Sequence, residues 1–541
     1  MADMTTTLEE DLRSRLAGLA TFTSGPRRQD ITLRLIHYAD LTAAAAALGA
    51  AGLSLATLVA TDESKTAEHD FKVRYIFEPA ATAAGKLDDI FVTLLVALDA
   101  VQPELPSICA HVPSANWHER EAQDMFGIVF TSHPDPKSLV LHDGWPKGLF
   151  PLRKDFAARE RRAVEPAEEF PHLVVEGEGV LEVPVGPIHA GIIEPGHFRF
   201  STVGESVLNL EARLFYAHRG LEKRIEGLTI ADGFFVVERM CGVCSVAHGL
   251  GYCEAAEQIA GIDVPGRALA LRTLALELER LYNHSGDLGN ICAGASYHYG
   301  TSAGLRMKEA LQRLCECITG NRFLRGLVTP GGVNLDLTPE LAQSIESTLV
   351  TSETGLDDLL ERIENNPSVI DRLDTTGLLR REDALALGVT GVAARASGVD
   401  CDARRDHPHG AYGKSGDLVV SVQTLSDGDV HARLGLRALE ARESIRLVRL
   451  LVANLPSGPH RAAMPAILPA WGTGLASIES PRGAAIHWLR TDGAGRIDRY
   501  HLRSASYANW PAVALAAHNA IIPDFPLVNK SFELCYSCTD R

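Results

Sequence analysis

The sequence predicts an α+β protein in which an N-terminal α/β part precedes a large, helix-dominated part with strands at its front. Residues 71–77 (FKVRYIF) alternate apolar and polar positions, a pattern typical of a strand. Residues 268–288 repeat apolar side chains at intervals of three and four, which predicts a helix. Between them, residues 157–171 (AARERRAVEPAEEFP) are charged and poor in large apolar side chains, a composition typical of a linker. We therefore expect two domains, residues 1–156 and 172–541, joined by this linker.

One uncharged N-terminal segment has two interpretations. Residues 41–61 carry no charge and could be mistaken for a membrane span, but they are rich in alanine and interrupted by Gly49 and Gly52. A short helix that is capped by Asp40 and ends at Gly49 fits better, followed by a strand over residues 53–60. We therefore expect no membrane span here.

The hydrophobic pattern predicts the secondary structure of the remaining segments with different clarity. Residues 89–98 fit a buried strand or a short helix equally well, and residues 111–156 are polar and rich in turns and aromatic side chains. Residues 173–185 and 191–203 are predicted strands, and the chain is expected to become helical from about Gly204. Besides residues 268–288, helices are predicted over residues 303–318, 338–363 and 429–455.

Composition narrows the class of function. The chain has 541 residues with 52 Lys and Arg against 69 Asp and Glu, a formal charge of −17, which argues against a nucleic-acid binder. The start of the chain is polar and acidic, without the apolar core of a secretory signal. A cytoplasmic location is therefore expected, where thiols stay reduced and paired cysteines indicate metal binding or catalysis.

Four of the ten cysteines form two CxxC pairs, Cys241 with Cys244 and Cys535 with Cys538. Two thiolates from one tight turn can reach a single metal ion, and two such turns supply four sulfurs, which suits a soft or borderline metal. Spacing alone leaves a structural zinc site, an iron–sulfur centre and other soft metals open. A helical or apolar setting favours ordinary core positions for Cys253, Cys292, Cys315, Cys317 and Cys401.

The residues around both pairs resemble the signatures of one enzyme family. Residues 238–248 (ERMCGVCSVAH) resemble the N-terminal signature of the large subunits of nickel–iron hydrogenases, and residues 533–541 (ELCYSCTDR) resemble their C-terminal signature. The likeness is strongest to the group 4, energy-converting branch of the formate hydrogenlyase type. Many hydrogenases have Asp-Pro where this chain has Glu533 and Leu534, which puts the local loop geometry in question and leaves all four sulfurs in place. The arginine at position 541 is typical of the energy-converting branch.

This resemblance implies a fold, a metal centre and its ligands. The expected fold is an N-terminal docking domain followed by a hydrogenase large-subunit domain. Cys241 and Cys535 would be terminal nickel ligands, and Cys244 and Cys538 would bridge nickel and iron. The iron would carry carbon monoxide and cyanide. Four thiolates concentrate negative charge, so nearby donors are needed.

Further residues take expected roles from the same resemblance. Arg239 and His248 are the candidate donors toward the sulfurs. Residues 186–199 resemble the segment of the proton-conducting glutamate, which assigns that role to Glu194. Arg482, in SPRG, would overhang the open coordination site; because a guanidinium is a poor base, the Cys535 thiolate ranks above it as proton acceptor.

Glu222 has two interpretations within this family. The matching glutamate in many hydrogenases contributes to a magnesium site near the C-terminus. The usual histidine partner is Arg541 here, so an ion pair between Glu222 and Arg541 is an equal alternative to magnesium. A tail is often cut off after this arginine in the family, so Arg541 is either that mature end or the natural end of an untailed chain.

A second resemblance covers the N-terminal part. Residues 117–127 (WHEREAQDMFG) and 152–156 resemble the smaller hydrophilic peripheral-arm subunit of respiratory complex I. Residues 329–333, 396–399 and 402–404 match its quinone-site subunit. The N-terminal acids and Arg120 are interpreted as structural or docking residues.

Two alternatives to a hydrogenase stay open. One is a complex I-like quinone oxidoreductase subunit, or a related subunit without the metal centre; such subunits lack the full set of four cysteines, and the complex I subunit usually has histidine where this chain has Glu194. The other is a non-catalytic assembly protein with structural zinc.

The expected function is reversible interconversion of H2 with protons and electrons at a nickel–iron centre. Too few suitably spaced cysteines remain for an iron–sulfur cluster in this chain. The resemblance therefore implies an iron–sulfur small subunit, a ferredoxin-like subunit and ion-translocating membrane subunits, with formate dehydrogenase and maturation factors as further partners. The complex would lie on the inner face of the cell membrane.

Overall fold

The N-terminal part is built on a five-stranded mixed sheet. The computed structural model describes residues 2–27, 29–66, 70–82, 89–158, 166, 170–189, 193–413 and 418–541. The N-terminal elements are α1 (Ala2–Arg15), β1 (Ala20–Ser24), β2 (Ile31–Leu35), α2 (Leu41–Ala50), β3 (Leu53–Asp62), β4 (Asp70–Pro79), β5 (Val92–Asp99), β6 (Glu104–Pro106), α3 (Ala115–Phe126) and β7 (Val129–Thr131). The main sheet has the order β1-β2-β5-β4-β3 and is antiparallel except between β2 and β5. The helix and strand predicted for residues 41–60 are α2 and β3, and residues 89–98 resolve as a strand.

Helix α3 was not predicted, because its polar residues are buried. It lies in the segment interpreted as turns and buries His118, Glu119, Arg120, Glu121 and Asp124 alongside its apolar positions. A helix with charged residues facing inward shows no apolar stripe, so the hydrophobic pattern could not identify it. The predicted linker, residues 157–171, lies mostly outside the described residues.

A three-stranded antiparallel sheet opens the second part of the chain. It consists of β8 (Val180–Val185), β9 (His197–Val203) and β10 (Ser206–Arg213), in the order β10-β9-β8. The expectation that helices begin near Gly204 is wrong: β9 and β10 pair directly around this glycine, whose φ is +59°. The first helix after the sheet begins at Leu221.

Helices dominate the middle of the chain. They are α4 (Leu221–Arg224), α5 (Ile230–Val237), α6 (Ser245–Ala260), α7 (Gly266–Gly294), α8 (His298–Thr319), α9 (Pro339–Glu364), α10 (Pro367–Leu373), α11 (Arg381–Ala386), α12 (Gly391–Ala396), α13 (Ala403–Asp406) and α14 (Val430–Ala453), with a small β11–β12 ladder (Val328–Thr329, Gly332–Val333) between α8 and α9. Helix α7 is buried almost throughout, as expected of a central helix, and packs against α8 and α14. Across the described chain, the helices are all too short or too polar to cross a bilayer.

A second antiparallel sheet near the C-terminus was not predicted. Strands β13 (Thr473–Ser480), β14 (Gly483–Thr491) and β15 (Ile497–Arg503) precede α15 (Ala505–Ala516), α16 (Phe525–Phe532) and α17 (Tyr536–Asp540). The strands of this part are therefore not confined to its front. Val59, Ile76 and Phe91 of the N-terminal sheet pack on Leu475, Ile486 and Trp488 of this one, so the two parts share a buried face.

An imidazole spans the contact between the two parts. His407 stacks on Phe91 with ring centroids 4.3 Å apart, and its Nε2 and Nδ1 lie 3.0 Å and 3.5 Å from the carboxylates of Glu78 and Asp89. Burial alone would lower the pKa of His407, but the two carboxylates outweigh burial and raise this pKa to about 9.

We expect this contact to make stability depend on pH. The folded pKa lies above the value of about 6.5 for an unfolded histidine. Protonated His407 therefore stabilises the fold fully below about pH 6.5, and this contribution, up to about 3 kcal/mol, is lost as the pH rises through 9. Chemical denaturation at pH 6.5 and 9.5 measures it. His407→Gln should remove this part of the pH dependence; an unchanged pH profile would contradict the assignment.

Candidate metal centre

The four cysteines of the two CxxC pairs converge, although 294 residues separate Cys241 from Cys535. The sulfurs of Cys241 and Cys535 are 3.3 Å apart, and those of Cys241, Cys244 and Cys538 all lie within 4.8 Å of one another. Three of the cysteines are buried and Cys535 is half-buried; all four are free thiols. The arrangement gives one sulfur cluster with one accessible member.

Both pairs lie at helix N-termini. Cys244 is the N-cap of α6 and Cys535 is the N-cap of α17. The positive end of each helix dipole therefore lies at the cluster, where it favours thiolates. The backbone N–H of Val243 also donates to the Cys241 sulfur at 3.1 Å. Buried Glu279 accepts the N–H groups of Val246 and Ala247 at 2.7 Å and 3.0 Å, which fixes the start of α6.

The thiols compete for negative charge. Hydrogen bonds with Cys241 and Cys538 lower the pKa of Cys244 to about 6. The neighbouring Cys241 sulfur raises the pKa of Cys535 to about 12, and contacts with the other three thiols raise that of Cys538 well above its usual value. Close packing of the sulfurs therefore opposes several thiolates at once. Four thiolates require a bound cation, so this donor set fits a soft, multiply charged metal.

His248 lies against the cluster, and Arg239 does not. The His248 Nε2 lies 3.2 Å from the Cys538 sulfur, and burial lowers the pKa of this imidazole to about 4, so it is neutral. A neutral imidazole that carries its proton on Nε2 donates to the sulfur. The Arg239 side chain is 49% exposed and donates to the Phe235 carbonyl and the Glu238 carboxylate. Of these two residues, His248 alone has a described contact with one of the four sulfurs.

Arg482 is held beside the sulfurs by an aspartate that sequence reasoning missed. The guanidinium occupies the β13–β14 turn, donates through both Nη atoms to Asp287 (2.9 Å from Nη2), and lies near enough to lower the pKa of Cys244. Burial alone would raise the pKa of Asp287, but Arg482 holds it well below its usual range. Glu533 lies 3.8 Å from Arg482 and accepts from Asn290 at 2.5 Å. Arg482 is thus a fixed cation beside the cluster.

The chain has Glu533 and Leu534 before Cys535, where many hydrogenases have Asp-Pro, and the local backbone adapts to them. Glu533 caps the end of α16 with φ +55°, and burial together with repulsion from Asp287 raises its pKa to about 7. The four sulfurs still converge.

Glu222 is paired with arginines. Its carboxylate accepts from Arg541 at 2.9 Å and from Arg499 at 2.7 Å. The ion pair expected between Glu222 and Arg541 is present, and a magnesium site at Glu222 stays a prediction. Arg541 also donates to Glu121 of α3 at 2.6 Å. Glu121, expected to serve structure or docking, therefore lies directly against the segment that carries Cys535 and Cys538.

Glu194 reaches the loop between the two C-terminal cysteines. Its carboxylate accepts from the Ser537 N–H at 2.8 Å and from the Ser537 hydroxyl. It is half-buried, and its neighbour Ile193 is exposed. The carboxylate therefore lies between the sulfur cluster and the surface.

Asp287, Asn290 and Glu279, the supporting residues of α7, were missed. They lie on one helix, but their partners are in other elements: Asp287 and Arg482 are 195 residues apart. The charge pattern of α7 alone does not identify these partners. Cys253, Cys292 and Cys315 are buried core residues as expected, Cys401 is half-buried and Cys317 is exposed.

Three family models match the chain. Residues 35–162 match the 30 Kd subunit of respiratory-chain NADH dehydrogenase, and residues 299–471 and 467–541 match its 49 Kd subunit. Residues 219–285, which include Glu222, Cys241 and Cys244, match the nickel-dependent hydrogenases.

Whole-chain relatives combine both parts. The chain is 34% identical to formate hydrogenlyase subunit 5 of Escherichia coli (strain K12), over 90% of this chain and 84% of the relative. It is 33% identical to hydrogenase-4 component G of the same organism, over 83% and 78%. It is 31% identical to the C/D subunit of NADH-quinone oxidoreductase from Phocaeicola vulgatus (strain ATCC 8482), over 81% and 87%.

A solved structure shares the fold. It belongs to the membrane-bound sulfane sulfur reductase, an archaeal respiratory membrane complex, and the match has a TM-score of 0.63 at 25% identity. The match covers 67% of this chain and 99% of that chain. About two thirds of this chain therefore shares its fold with a chain of that complex.

Proposed function

Because the chain belongs to the family of formate hydrogenlyase subunit 5 and hydrogenase-4 component G, the group 4 hydrogenase large subunits, we propose that it is the catalytic large subunit of a nickel–iron hydrogenase. It interconverts H2 with two protons and two electrons. The observation that carries the proposal is the convergence of four sulfurs from two distant CxxC pairs. We further propose the boundaries given above: residues 1–156 for docking, 157–171 as a linker and 172–541 for catalysis.

The donor set fits a nickel–iron centre. Cys241, Cys244, Cys535 and Cys538 would hold the nickel–iron pair, and carbon monoxide and cyanide would complete the coordination of the iron. When bound, the centre supplies heterolytic cleavage of H2 and accepts two electrons. The role of the chain is to hold four thiolates, support their charge and carry the proton away.

Arg482 places one positive charge at a fixed position beside the sulfurs. Asp287 clamps its guanidinium through two nitrogens, so the cation has one orientation. A fixed, buried cation stabilises negative charge on the sulfurs without reorganisation. Because a guanidinium does not give up its proton near neutral pH, the Cys535 sulfur accepts the proton instead. Its half-buried position suits a group that must pass this proton on.

The proton path continues to Glu194. The Ser537 hydroxyl lies in the same turn as Cys535 and donates to the Glu194 carboxylate. A hydroxyl can accept a proton on one side and donate on the other, so it connects the sulfur region with the carboxylate. Half-buried Glu194 then releases the proton toward solvent.

Electrons must leave to a partner. In the described chain, Cys253, Cys292 and Cys315 are buried in separate helices and form no second cluster with the spacing of an iron–sulfur site. We propose an iron–sulfur small subunit as the acceptor, with a ferredoxin-like subunit and ion-translocating membrane subunits on the inner face of the membrane. Formate dehydrogenase and maturation factors complete the proposed partners.

A quinone oxidoreductase subunit is the second candidate. The 31% identity to an NADH-quinone oxidoreductase C/D subunit supports it. The complete four-sulfur cluster with its histidine donor and clamped arginine favours the hydrogenase, because a quinone site does not need four thiolates.

Metal analysis with infrared spectroscopy of the assembled complex separates these candidates. We expect nickel and iron in the protein and bands from metal-bound carbon monoxide and cyanide. Zinc alone would favour the assembly protein, and a complex free of metal at the four cysteines would favour the quinone enzyme.

Glu194→Gln should slow hydrogen–proton exchange by about 100-fold, because the amide oxygen can still accept the Ser537 N–H and the amide NH2 can donate to the Ser537 hydroxyl, but the amide cannot take up the proton. Nickel content should be unchanged. Isotope exchange with D2 measures the rate, and Glu205→Gln, at an exposed turn between β9 and β10, is the matched control. Unaltered exchange in Glu194→Gln would remove this residue from the path.

A further inference from the structure

A cavity of about 260 Å³ lies where the N-terminal part meets α15, and we call it the seam cavity. Leu55, Trp117, Leu387 and Pro511 give it apolar walls, and Arg503 and His118 are its charged and titratable members. The volume lies just below the range of drug-sized pockets, which suits a compact ligand. The cavity lies apart from the four sulfurs.

Arg503 lines this cavity as a buried cation without an acidic partner. It is 2% exposed and donates from Nε to the Ala56 carbonyl at 2.9 Å and from Nη1 to the Ala484 carbonyl at 2.6 Å. Within the described residues, no carboxylate lies within 4.0 Å of its guanidinium and Nη2 has no acceptor. Arg433 also lacks a carboxylate, but each of its three nitrogens has an oxygen partner.

Arg503 therefore retains donor capacity and uncompensated charge. Burial lowers the pKa of its guanidinium, and the nearer acidic groups, led by Glu78, only partly offset this. A buried charge of this kind is costly unless an anion pairs with it.

A second polar atom in the cavity wall is also unpaired. His118 is 7% exposed, and its Nδ1 is buried without a hydrogen-bond partner in the described chain. Burial lowers its pKa well below the usual value, so the ring is neutral and contributes hydrogen bonding without charge. The described polar residues that line the rest of the cavity, Cys109, Ser114, Asn116 and Tyr507, are neutral as well.

Arg503 lines a second, neighbouring cavity, and comparing the two shows which of them an anion would occupy. It measures about 250 Å³ and shares Leu55, Gly388 and Arg503 with the seam cavity, but its walls include Glu78, Asp402 and Asp406. These acids repel a second anion. A ligand anchored on Arg503 therefore places its body in the seam cavity, against Trp117 and Leu387.

We propose that the seam cavity binds a small monocarboxylate with a compact aromatic or branched body. The carboxylate accepts from Arg503 Nη2 and the body packs on Trp117, Leu387 and Pro511. Such a ligand matches the single positive charge, the apolar walls and the volume.

An occupant would lie one side chain from the metal-binding segment. Tyr507, a wall of the cavity, has the Arg541 guanidinium 5.1 Å above its ring. The site is therefore placed to affect the C-terminal turn, although its existence does not depend on the metal chemistry.

Isothermal titration calorimetry of the full chain tests the site, with benzoate as the probe and benzyl alcohol as its neutral counterpart. We expect benzoate to bind with a dissociation constant below about 1 mM and benzyl alcohol to bind at least about tenfold more weakly, because it loses the charge-assisted hydrogen bond. Equal binding of the two probes, or no benzoate binding at millimolar concentration, would overturn the proposal.

Two variants locate the binding. Arg503→Gln should weaken benzoate binding at least about tenfold. Ala508→Leu fills the cavity from a half-buried position on α15, leaves Arg503 and its carbonyl partners in place, and should abolish binding even if the first variant folds poorly. Arg496→Gln, an exposed arginine elsewhere, is the control. Benzoate binding that survives Ala508→Leu unchanged would place the anion elsewhere.

Discussion

Cys535→Ser is expected to reduce nickel content severely and to lower hydrogen–proton exchange by at least about 1000-fold. Serine offers a hard hydroxyl oxygen in place of a soft sulfur, and nickel retains it poorly. The substitution also removes the proposed proton acceptor, so exchange falls further than metal loss alone predicts. The Cys535 sulfur lies 3.3 Å from that of Cys241, so the change acts directly on the cluster. Elemental analysis and D2 exchange of the purified complex measure both effects.

Two other cysteines provide matched controls for this prediction. Cys317→Ser changes an exposed thiol and Cys292→Ser changes a buried one, and neither residue belongs to the sulfur cluster. Both variants should keep nickel and exchange. A Cys535→Ser complex with full nickel and normal exchange would exclude this residue as a ligand and as the proton acceptor.

Arg482→Lys is expected to lower kcat by about 100-fold while nickel stays bound. Lysine keeps the positive charge but loses the planar fork that donates to Asp287 through two nitrogens. Without that clamp the cation is no longer fixed beside Cys244, and preorganised stabilisation of the developing charge is lost. Steady-state hydrogen uptake gives kcat, and elemental analysis gives nickel content.

The infrared spectrum distinguishes this effect from disruption of the site. The carbon monoxide and cyanide bands should remain in Arg482→Lys, since all four sulfurs are retained. Arg496→Lys, at an exposed position, is the control and should leave kcat unchanged. Nickel loss in Arg482→Lys would assign the arginine to holding the centre, and an unchanged kcat would remove it from the mechanism.

Features that depend on residues close together in the sequence could be predicted. The CxxC spacing identified Cys241, Cys244, Cys535 and Cys538, and the helical periodicity identified α7, because each depends on neighbours a few residues apart. The resemblance added Glu194, whose contact with Ser537 the structure provides.

Relations between distant residues could not be predicted. Asp287 holds Arg482 across 195 residues, and nothing in the sequence near either one indicates the pair. Helix α3 buries charged residues that a hydrophobic pattern counts as exposed. The strands β13–β15 are buried on both faces and include charged and polar side chains, so they show no clear alternation of apolar and polar residues. The orientation of Arg239 was hidden for a related reason: closeness in sequence to Cys241 does not decide where its side chain points.

The ion pairs of Arg541 join the C-terminal end of the chain to both parts of the fold. This residue follows Cys538 by three positions and binds both Glu222 and Glu121, the second of which is 420 residues earlier in the chain. Without the Glu121 carboxylate, the buried Arg541 guanidinium would keep only Glu222 as an acidic partner among the described residues. The N-terminal part therefore helps to hold the segment that carries two of the four sulfurs.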